Sequence, residues 1–371
     1  MNKTLFGISF FVNLIFSMLT TLLSLIVFNI NHSTEDINII MFVFISSLLI
    51  TRIILFNNFF SFKTEIVVGC FLFLLACLIL YINSTNIVLM VIGAILFGLS
   101  IGMIPPAILS MLSSTNNKDK NIGVYNIIVA VASVISPLLG ERLYGYNVKI
   151  LFFVWLVLSS IMVFLSVNLK EKGLDDKKEP SDSTLYHLKR VIINRSFQIY
   201  FVTLLFSSIT YGTIVSYLPI YFQEINLSIG IYYLYFWLGY ILIQFYKKIN
   251  FKFVHILFAL VLVSVGQLFL MLLSSAIVLY FSALLYGIGY GSLFKIFYIG
   301  IASFTNLREK NIAFSIIGLI SYLGVGIAPV FLIPFNTNNW FILFGGNLLY
   351  SLVSLILFII LWRVILDETH K

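Results

Sequence analysis

Twelve hydrophobic stretches, most of them about twenty residues long, run almost end to end through this chain of 371 residues. A helix needs roughly 20 mostly apolar residues to cross a bilayer, so repeated stretches of this length predict a protein that crosses the membrane many times. The composition agrees, because 61% of the residues are hydrophobic and only 10% are charged. A water-soluble domain could not carry that surface.

The spans are predicted to be helices rather than strands, because in hydrocarbon each backbone N–H and C=O group must be paired within its own segment. The first span is long and lacks a small-residue cleavage site, so we expect it to be retained rather than removed as a signal peptide. The predicted spans are 5–30, 37–60, 65–82, 86–112, 121–143, 148–168, 196–224, 229–246, 253–274, 276–303, 311–334 and 338–364.

The basic residues indicate the orientation of the spans. If both termini are cytoplasmic and the spans alternate, 19 of the 22 Lys and Arg residues fall in cytoplasmic segments. Arg142 and Lys149 fall outside, and Lys295 lies within a span. This bias follows the positive-inside rule. It predicts a multi-pass protein of the plasma membrane with both termini cytoplasmic, and it relates the net charge of +8 to topology and lipid contact rather than to nucleic acid.

One long polar interval, residues 170–195, mixes both charge signs with a glycine and a proline, which is typical of a solvated linker. Part of it, Ser183–Asn194, is a candidate for a short amphipathic helix at the cytoplasmic surface. The interval separates six spans from six spans. We therefore expect an N-terminal bundle over residues 1–169 and a C-terminal bundle over residues 196–371.

The two halves also resemble each other in sequence. Ala94–Gly98, followed by a glycine four residues later, matches Ala283–Gly287 at an offset of 189. Just downstream, the charged segment Lys118–Gly123 matches Arg308–Ala313 at an offset of 190. Both matches lie at the fourth span of their own half and the loop after it. An internal duplication explains this, and six spans per copy make the copies parallel repeats.

Three local patterns add to this layout: a glycine run that ends in proline in span four, a short basic loop that enters span five, and a small-residue and proline motif within span five. They consist of Gly98, Gly102, Pro105 and Pro106; of Lys118, Asp119 and Lys120; and of Ser133, Ser136, Pro137 and Gly140. Over essentially its whole length the chain resembles the major facilitator superfamily. In that superfamily the span-five motif marks exporters and antiporters, so the resemblance implies a transporter of two six-helix bundles that works by alternating access.

The chain also departs from the pattern of that superfamily. The loop between spans two and three keeps basic residues at Arg52 and Lys63 but lacks the usual glycine and aspartate. In the span-five motif, Ser133 and Ser136 replace two glycines. The resemblance places Arg52 at the cytoplasmic gate, together with two charged loops. These loops consist of Lys118, Asp119 and Lys120, and of Arg308, Glu309 and Lys310.

Charges inside the bilayer are costly and mark functional sites by default. Lys295 lies well inside span ten, with no other charge nearby in sequence. One interpretation places its ammonium in the central cavity, in contact with an anionic substrate group or a carboxylate of another helix. The alternative is that its long side chain extends to the cytoplasmic headgroups. The same two interpretations apply to Arg52.

Two carboxylates are candidates for carrying a coupling proton. Glu141 closes span five directly after the exporter-like motif, and Glu224 lies at the outer end of span seven. The alternative for Glu141 and its neighbour Arg142 is an ordinary solvated pair at a helix end. Spans one, four, seven, eight and eleven have no acidic residue in their middle. The cavity is therefore expected to favour anionic, zwitterionic or neutral cargo over cations.

Polar side chains at interior positions of the helices are further candidates for the substrate pathway. We select Asn13 in span one, Asn126 in span five and Tyr211 in span seven, alongside Arg52 and Lys295. The alternative is that such side chains bind their own backbone or a neighbouring helix.

No phosphate-binding loop, metal-ligand cluster or catalytic triad is found in the sequence, so we expect neither an enzyme nor a cofactor nor a bound metal. The prediction is a monomeric secondary transporter, from a bacterium by its composition, that exports a small organic compound or drug. The expected partners are this small-molecule substrate, the proton as coupling ion and membrane lipids. Two alternatives stay open: an importer of a small metabolite, or a non-transporting protein of the same fold that handles lipids or senses signals.

Overall fold

The computed structural model describes residues 2–55, 60–83, 85–113, 118–169, 184–246, 249, 252–272, 275–302, 307–332, 334–335 and 339–369. Within these residues the chain forms thirteen α-helices. They are α1 (Asn2–Asn31), α2 (Thr34–Leu55), α3 (Phe62–Ile82), α4 (Ile87–Ser113), α5 (Lys118–Tyr146), α6 (Val148–Val167), α7 (Thr184–Ile193), α8 (Arg195–Glu224), α9 (Ile229–Phe245), α10 (Phe253–Leu272), α11 (Ala276–Ala302), α12 (Leu307–Phe331) and α13 (Trp340–Thr369).

The predicted all-helical membrane protein is confirmed. In the described part of the chain, ten helices are long and apolar enough to cross a membrane. Two shorter apolar helical segments, Ile229–Phe245 and Ile316–Phe331, complete the twelve spans. The spans are thus α1–α6 in the first half and α8–α13 in the second.

The polar interval between the halves contains the remaining helix. α7 forms where a short amphipathic helix was expected and packs on α12. Val191 is buried, whereas Lys189 and Arg190 are exposed, so these two basic side chains lie on the exposed side of the helix. The rest of the predicted linker, residues 170–183, lies outside the described residues.

Two predicted loops turn out to be helical. Lys118–Lys120 form the first turn of α5, and Arg308–Lys310 lie in the first turn of α12. Helical hydrogen bonding needs no apolar side chain, so a helix continues beyond the apolar segment by which its span was recognised. The side chains of these six residues lie outside what the structure describes.

The chain divides into two compact units. The first contains Met1–Asp175 and Val215–Leu234, and the second contains Asp176–Ile214 and Tyr235–Lys371. Within the first unit, α4 packs on α2 and α3, and α1 packs on α5 and α6. Within the second, α10 packs on α11 and α13. The bundle limits expected from the sequence stay a prediction.

Paired glycines allow the fourth helix of the first half to pack closely on the second. A Cβ atom added to Gly98 of α4 would meet the carbonyl oxygen of Phe44 on α2. One added to Gly102 would lie 2.6 Å from Cβ of Thr51. Small residues permit this close approach of membrane helices.

The second half repeats this contact between its own fourth and second helices. A Cβ atom added to Gly287 of α11 would meet the carbonyl oxygen of Phe236 on α9, and one added to Gly291 would lie 3.0 Å from Cα of Tyr240. The sequence match at an offset of 189 therefore corresponds to the same helix contact in each half.

Candidate functional site

The carboxylate of Glu141, at the end of α5, lies on the N-terminus of α9. Oε1 accepts a hydrogen bond from the backbone N–H of Ile229 at 3.0 Å, and Oε2 accepts one from the N–H of Gly230 at 2.9 Å. The hydroxyl of Ser228 also donates to Oε2. The first N–H groups of a helix lack partners in their own helix and form the positive end of its dipole, so they bind an anion well.

The turn before α9 presents these donors. α8 ends at Glu224, and two residues later Asn226 adopts the left-handed conformation with φ of 52°. The N–H of Asn226 donates to the carbonyl of Gln223 at 3.2 Å, and the N–H of Leu227 donates to that of Phe222 at 2.9 Å. This pair of bonds is a Schellman motif, in which Asn takes the place more often held by glycine. The motif ends α8 sharply enough for α9 to begin within a few residues.

Ser228 connects the cap of α9 to Glu141. Its Oγ accepts a hydrogen bond from the N–H of Ile231 at 3.2 Å, as an N-cap serine does. Its hydroxyl hydrogen is then available for the carboxylate of Glu141. The side chain of Ser228 therefore caps the N-terminus of α9 and also binds Glu141 of α5.

The close approach of α5 and α9 requires glycine at position 230. A Cβ atom added to Gly230 would lie 2.6 Å from Oε2 of Glu141 and 3.0 Å from Cα of Leu138. Neither neighbour leaves room for a methyl group, because one is the bound carboxylate and the other is helix backbone. A methyl group at this position would therefore displace the carboxylate of Glu141 and shift the backbone of α5 or α9 slightly.

Glu141 binds the tip of a helical hairpin. We define the α8–α9 hairpin as Val215–Leu234, the part of these two helices that belongs to the first unit. Pro219 has no N–H, so the carbonyl of Val215 lacks its helical partner. The hydroxyl of Ser24 on α1 donates to this carbonyl at 3.0 Å. A hydroxyl of α1 thus replaces the hydrogen bond that Pro219 removes from α8.

A second bond ties the hairpin to α2. The hydroxyl of Tyr217 donates to Oδ1 of Asn38 at 2.6 Å. Beside the hairpin, a pocket open to the surface is lined by residues that include Glu141, Tyr144 and Gln223. The Glu141 carboxylate is therefore half-buried and close to solvent.

The exporter-like motif lies on one buried face of α5 and ends directly before Glu141. This face packs on α1, since a Cβ atom added to the last motif residue would lie 3.1 Å from side-chain atoms of both Leu22 and Met18. The hydroxyl of the second motif serine donates to the carbonyl of Ala132 in its own helix. The motif residues are Ser133, Ser136, Pro137 and Gly140.

Four other predicted residues are distributed over α1, α2, α5 and α8. Asn13 is half-buried and donates to the carbonyl of Ser9 in its own helix at 2.7 Å. Asn126 is exposed on α5, and Arg52 is half-buried in the last turn of α2. Glu224 is exposed as the last residue of α8. Their predicted roles in transport stay predictions.

Tyr211 belongs to an aromatic cluster in the second unit. Its ring stacks on those of Phe236 and Tyr290, each with ring centroids 5.3 Å apart. The hydroxyls of Tyr290 and Ser208 are 3.3 Å apart and share a hydrogen bond. Three helices, α8, α9 and α11, therefore meet around the half-buried ring of Tyr211.

Lys295 caps the C-terminal end of α9. Its Nζ donates to the carbonyls of Ile243 at 3.1 Å, Gln244 at 2.7 Å and Tyr246 at 2.9 Å. An ammonium has three hydrogens, and these three carbonyls can bind all of them. A cation is also favourable at the negative end of a helix dipole. The predicted place of Lys295 in the substrate pathway stays a prediction.

A pair of buried amides was missed by sequence reasoning, which concentrated on charges. Nδ2 of Asn347 on α13 donates to Oε1 of Gln267 on α10 at 2.7 Å and to the carbonyl of Thr210 on α8 at 3.2 Å. Both amide side chains are 0% exposed. Within the part of the chain that the structure describes, Nε2 of Gln267 and Oδ1 of Asn347 have no hydrogen-bond partner. An amide within an otherwise apolar span was the signal that could have found this pair.

Glu65 is a second residue that the sequence pattern did not single out. It lies in the first turn of α3 and is 5% exposed. Glu65 stands at the first position of its predicted span, 65–82. The search for charges within the membrane concerned the interior of each span and therefore did not include it. Among the described residues, no group of three or more His, Cys, Asp or Glu side chains could hold a metal ion.

Known proteins share the fold of this chain. A family model described as the Major Facilitator Superfamily matches residues 5–329. A mutant of the nucleoside transporter NupG has a TM-score of 0.74 at 12% identity, over 97% of this chain and 99% of that chain. A structure from work on proton dependent oligopeptide transporters has a TM-score of 0.71 at 13% identity, over 98% and 97%.

A bacterial homolog of the human lysosomal transporter Spinster, inward-facing and occupied, has a TM-score of 0.71 at 11% identity, over 99% of this chain and 97% of that chain. At these identities the similarity to solved structures concerns the fold alone. A comparison with curated protein sequences finds no match.

Proposed function

Because the chain belongs to the Major Facilitator Superfamily, we propose that it is a secondary active transporter that exports a small organic compound or drug in exchange for protons. Alternating access of two six-helix bundles is the working principle of such a transporter. The chain acts as a monomer in the plasma membrane, with both termini in the cytoplasm. The distribution of 19 of the 22 basic residues supports this orientation.

One observation carries the proton-coupled part of this proposal: Glu141, directly after the exporter-like motif, is half-buried beside an open pocket, and its carboxylate binds the N-terminus of α9. A proton from solvent can reach this position. Protonation would remove the negative charge that the three donors of α9 bind, so proton binding and the position of α9 would influence each other. Glu224, exposed at the end of α8, is the second candidate for coupling.

The cargo is proposed to be anionic, zwitterionic or neutral, since the middle of spans one, four, seven, eight and eleven lacks acidic residues. Residues proposed to line its path are Asn13, Arg52, Asn126, Tyr211 and Lys295. In the conformation described, the ammonium of Lys295 is bound by backbone carbonyls, so a substrate contact would require it to leave them. The charged turns at Lys118–Lys120 and Arg308–Lys310 are proposed to form the cytoplasmic gate.

The test uses inside-out membrane vesicles with an inside-acid pH gradient. We expect some members of a panel of cationic, zwitterionic and anionic compounds to collapse the gradient in vesicles that carry the protein. We expect Glu141→Gln to abolish this response, because the amide cannot carry the proton. The compounds that act would also define the charge class of the cargo.

Glu35→Gln is the matched control, because Glu35 is an exposed carboxylate in the first turn of α2. This variant should respond like the unaltered protein. Absence of any response, with the protein shown to be folded and inserted, would contradict proton-coupled export and favour an importer or a lipid-handling or sensory role.

A further inference from the structure

We propose that the last turn of α7 is a binding site for the headgroups of anionic phospholipids. The site consists of Lys189, Arg190, Ile192 and Ile193, all of which belong to the second unit. It concerns how the chain contacts the surface of the bilayer and is independent of the cargo and of the direction of transport.

The end of α7 lies close to the start of a membrane span. α7 ends at Ile193, and Asn194 separates it from α8, whose apolar span begins at Phe197. Three residues of helix rise about 4.5 Å, and the headgroup layer on each side of the hydrocarbon is roughly 5–7 Å deep. The last turn of α7 is therefore at the level of the headgroups.

Three hydrogen bonds hold this junction of α7 and α8. The N–H of Asn194 donates to the carbonyl of Val191 at 3.1 Å, and its Oδ1 accepts from the N–H of Phe197 at 3.3 Å, as an N-cap residue does. Nε2 of Gln198 on α8 donates to the carbonyl of Ile192 at 3.4 Å. Together with the packing of α7 on α12, these bonds fix the end of α7 beside the span.

The exposed side of this last turn combines charged and apolar side chains. Ile192 is 48% exposed and Ile193 is 58% exposed, and Lys189 and Arg190 are exposed as well. At 3.6 residues per turn, these four side chains lie within an arc of about 160°. The buried Val191 lies on the opposite side of the helix. The arc therefore faces away from the protein.

A layer of anionic headgroups fits both kinds of side chain in this arc. Two exposed isoleucines are unfavourable in water, but at the headgroup boundary they can enter the acyl region, as the apolar residues of interfacial helices do. The basic side chains can then bind lipid phosphates, and the guanidinium of Arg190 can donate two parallel hydrogen bonds to one phosphate. Negatively charged lipids attract basic residues at this level of the bilayer.

The experiment measures lipid contact at α7 itself. Bimane, a small apolar fluorophore, is attached at Ile193→Cys after the buried Cys70 and Cys77 are replaced by alanine. The purified full chain in detergent is titrated with phosphatidylglycerol or phosphatidylcholine whose acyl chains carry a nitroxide quencher. The lipid concentration at half-maximal quenching gives an apparent Kd at this position. No substrate and no pH gradient are applied, so the result does not depend on proton-coupled export.

We expect the anionic phosphatidylglycerol to bind more tightly than the zwitterionic phosphatidylcholine. The double variant Lys189→Gln/Arg190→Gln should raise the apparent Kd for phosphatidylglycerol about twentyfold. Each basic residue near an anionic surface contributes enough to change the affinity about fivefold. The variant Ile192→Ser should weaken the quenching by both lipids, because it removes an apolar contact that does not depend on the headgroup.

The matched control is the double variant Lys252→Gln/Arg363→Gln, which removes the same charge from two other exposed positions of the second unit. The rings of their neighbours Phe253 and Trp362 are in contact, with centroids 5.6 Å apart, so this pair lies at one end of the unit. The control should leave the apparent Kd at α7 unchanged.

Three results would overturn the site. Equal affinity for the two lipids would show that the headgroup charge is not recognised. Equal losses in the two double variants would assign the attraction to the overall charge of the protein rather than to α7. Absence of quenching by either lipid, in folded protein, would place this side of α7 in water. Unchanged quenching in Ile192→Ser would remove the apolar contact from the site.

Discussion

At the scale of single residues, this chain uses side chains to bind the exposed ends of helices. Glu141 binds the N-terminus of α9, and Lys295 binds the C-terminal carbonyls of the same helix. The two charges have opposite signs and stand at the ends where the helix dipole favours each of them. Their unusual positions were visible in the sequence, but their partners were not, because those partners are backbone atoms far away along the chain.

A substitution of Lys295 distinguishes a helix cap from a substrate contact. Lys295→Met keeps much of the apolar chain but removes the ammonium, so three carbonyls at the C-terminal end of α9 lose their bound cation. We expect unfolding to become easier by about 1–2 kcal/mol, the size of a partly buried cation at a helix end. The measurement is thermal unfolding of the purified protein, together with the substrate KM.

Lys295→Arg is the control for this prediction, since it keeps a positive charge at the end of α9. It should recover part of the lost stability. A raised KM for an anionic substrate with unchanged unfolding would contradict the capping role and assign the ammonium to the substrate.

At the scale of helices, polar contacts inside the apolar spans decide which faces meet. Gln267 of α10 and Asn347 of α13 are both fully buried and bind each other, and Asn347 also binds α8. At this depth, water from solvent cannot take the place of either amide as the hydrogen-bond partner of the other. The contact therefore specifies how α8, α10 and α13 align, which apolar residues alone would not.

The amide pair predicts a non-additive pair of substitutions. Gln267→Leu or Asn347→Leu alone leaves one buried amide without its partner, so each should lower the free energy of unfolding by about 1–2 kcal/mol. The double variant should lose clearly less than the sum, because both polar groups are then gone. Thermal unfolding in detergent measures all three variants. Strictly additive losses would show that the two amides do not act together.

At the scale of the whole molecule, the twelve spans and the charges between them predict one orientation in the membrane. Two exposed positions test it in the protein without Cys70 and Cys77. Tyr146→Cys should react in intact cells with a maleimide that cannot cross the membrane, because the turn after α5 is predicted to be outside. Lys252→Cys, before α10, should react only after the cells are opened. The opposite result at both positions would reverse the predicted topology.

The sequence by itself determined the class of the protein, its spans and its internal repeat. Backbone groups must be paired within each span in hydrocarbon, so apolar length alone predicts a helix, and the fold followed from counting such helices. The glycines at an offset of 189 were also visible in the sequence, because helices that pack closely need small residues at the contact. Gly98 and Gly287 indeed make the same contact in each half.

Only the tertiary structure decided which residues the polar side chains bind. Nothing near Glu141 in sequence predicts that Ser228, Ile229 and Gly230 bind it, 87 to 89 residues further along the chain. In the same way, no periodicity connects Gln267 with Asn347, 80 residues apart. Apolar patterns act through local backbone pairing and are readable along the chain. Polar partners are chosen by how helices cross in space, and this choice depends on the packing of all of them at once.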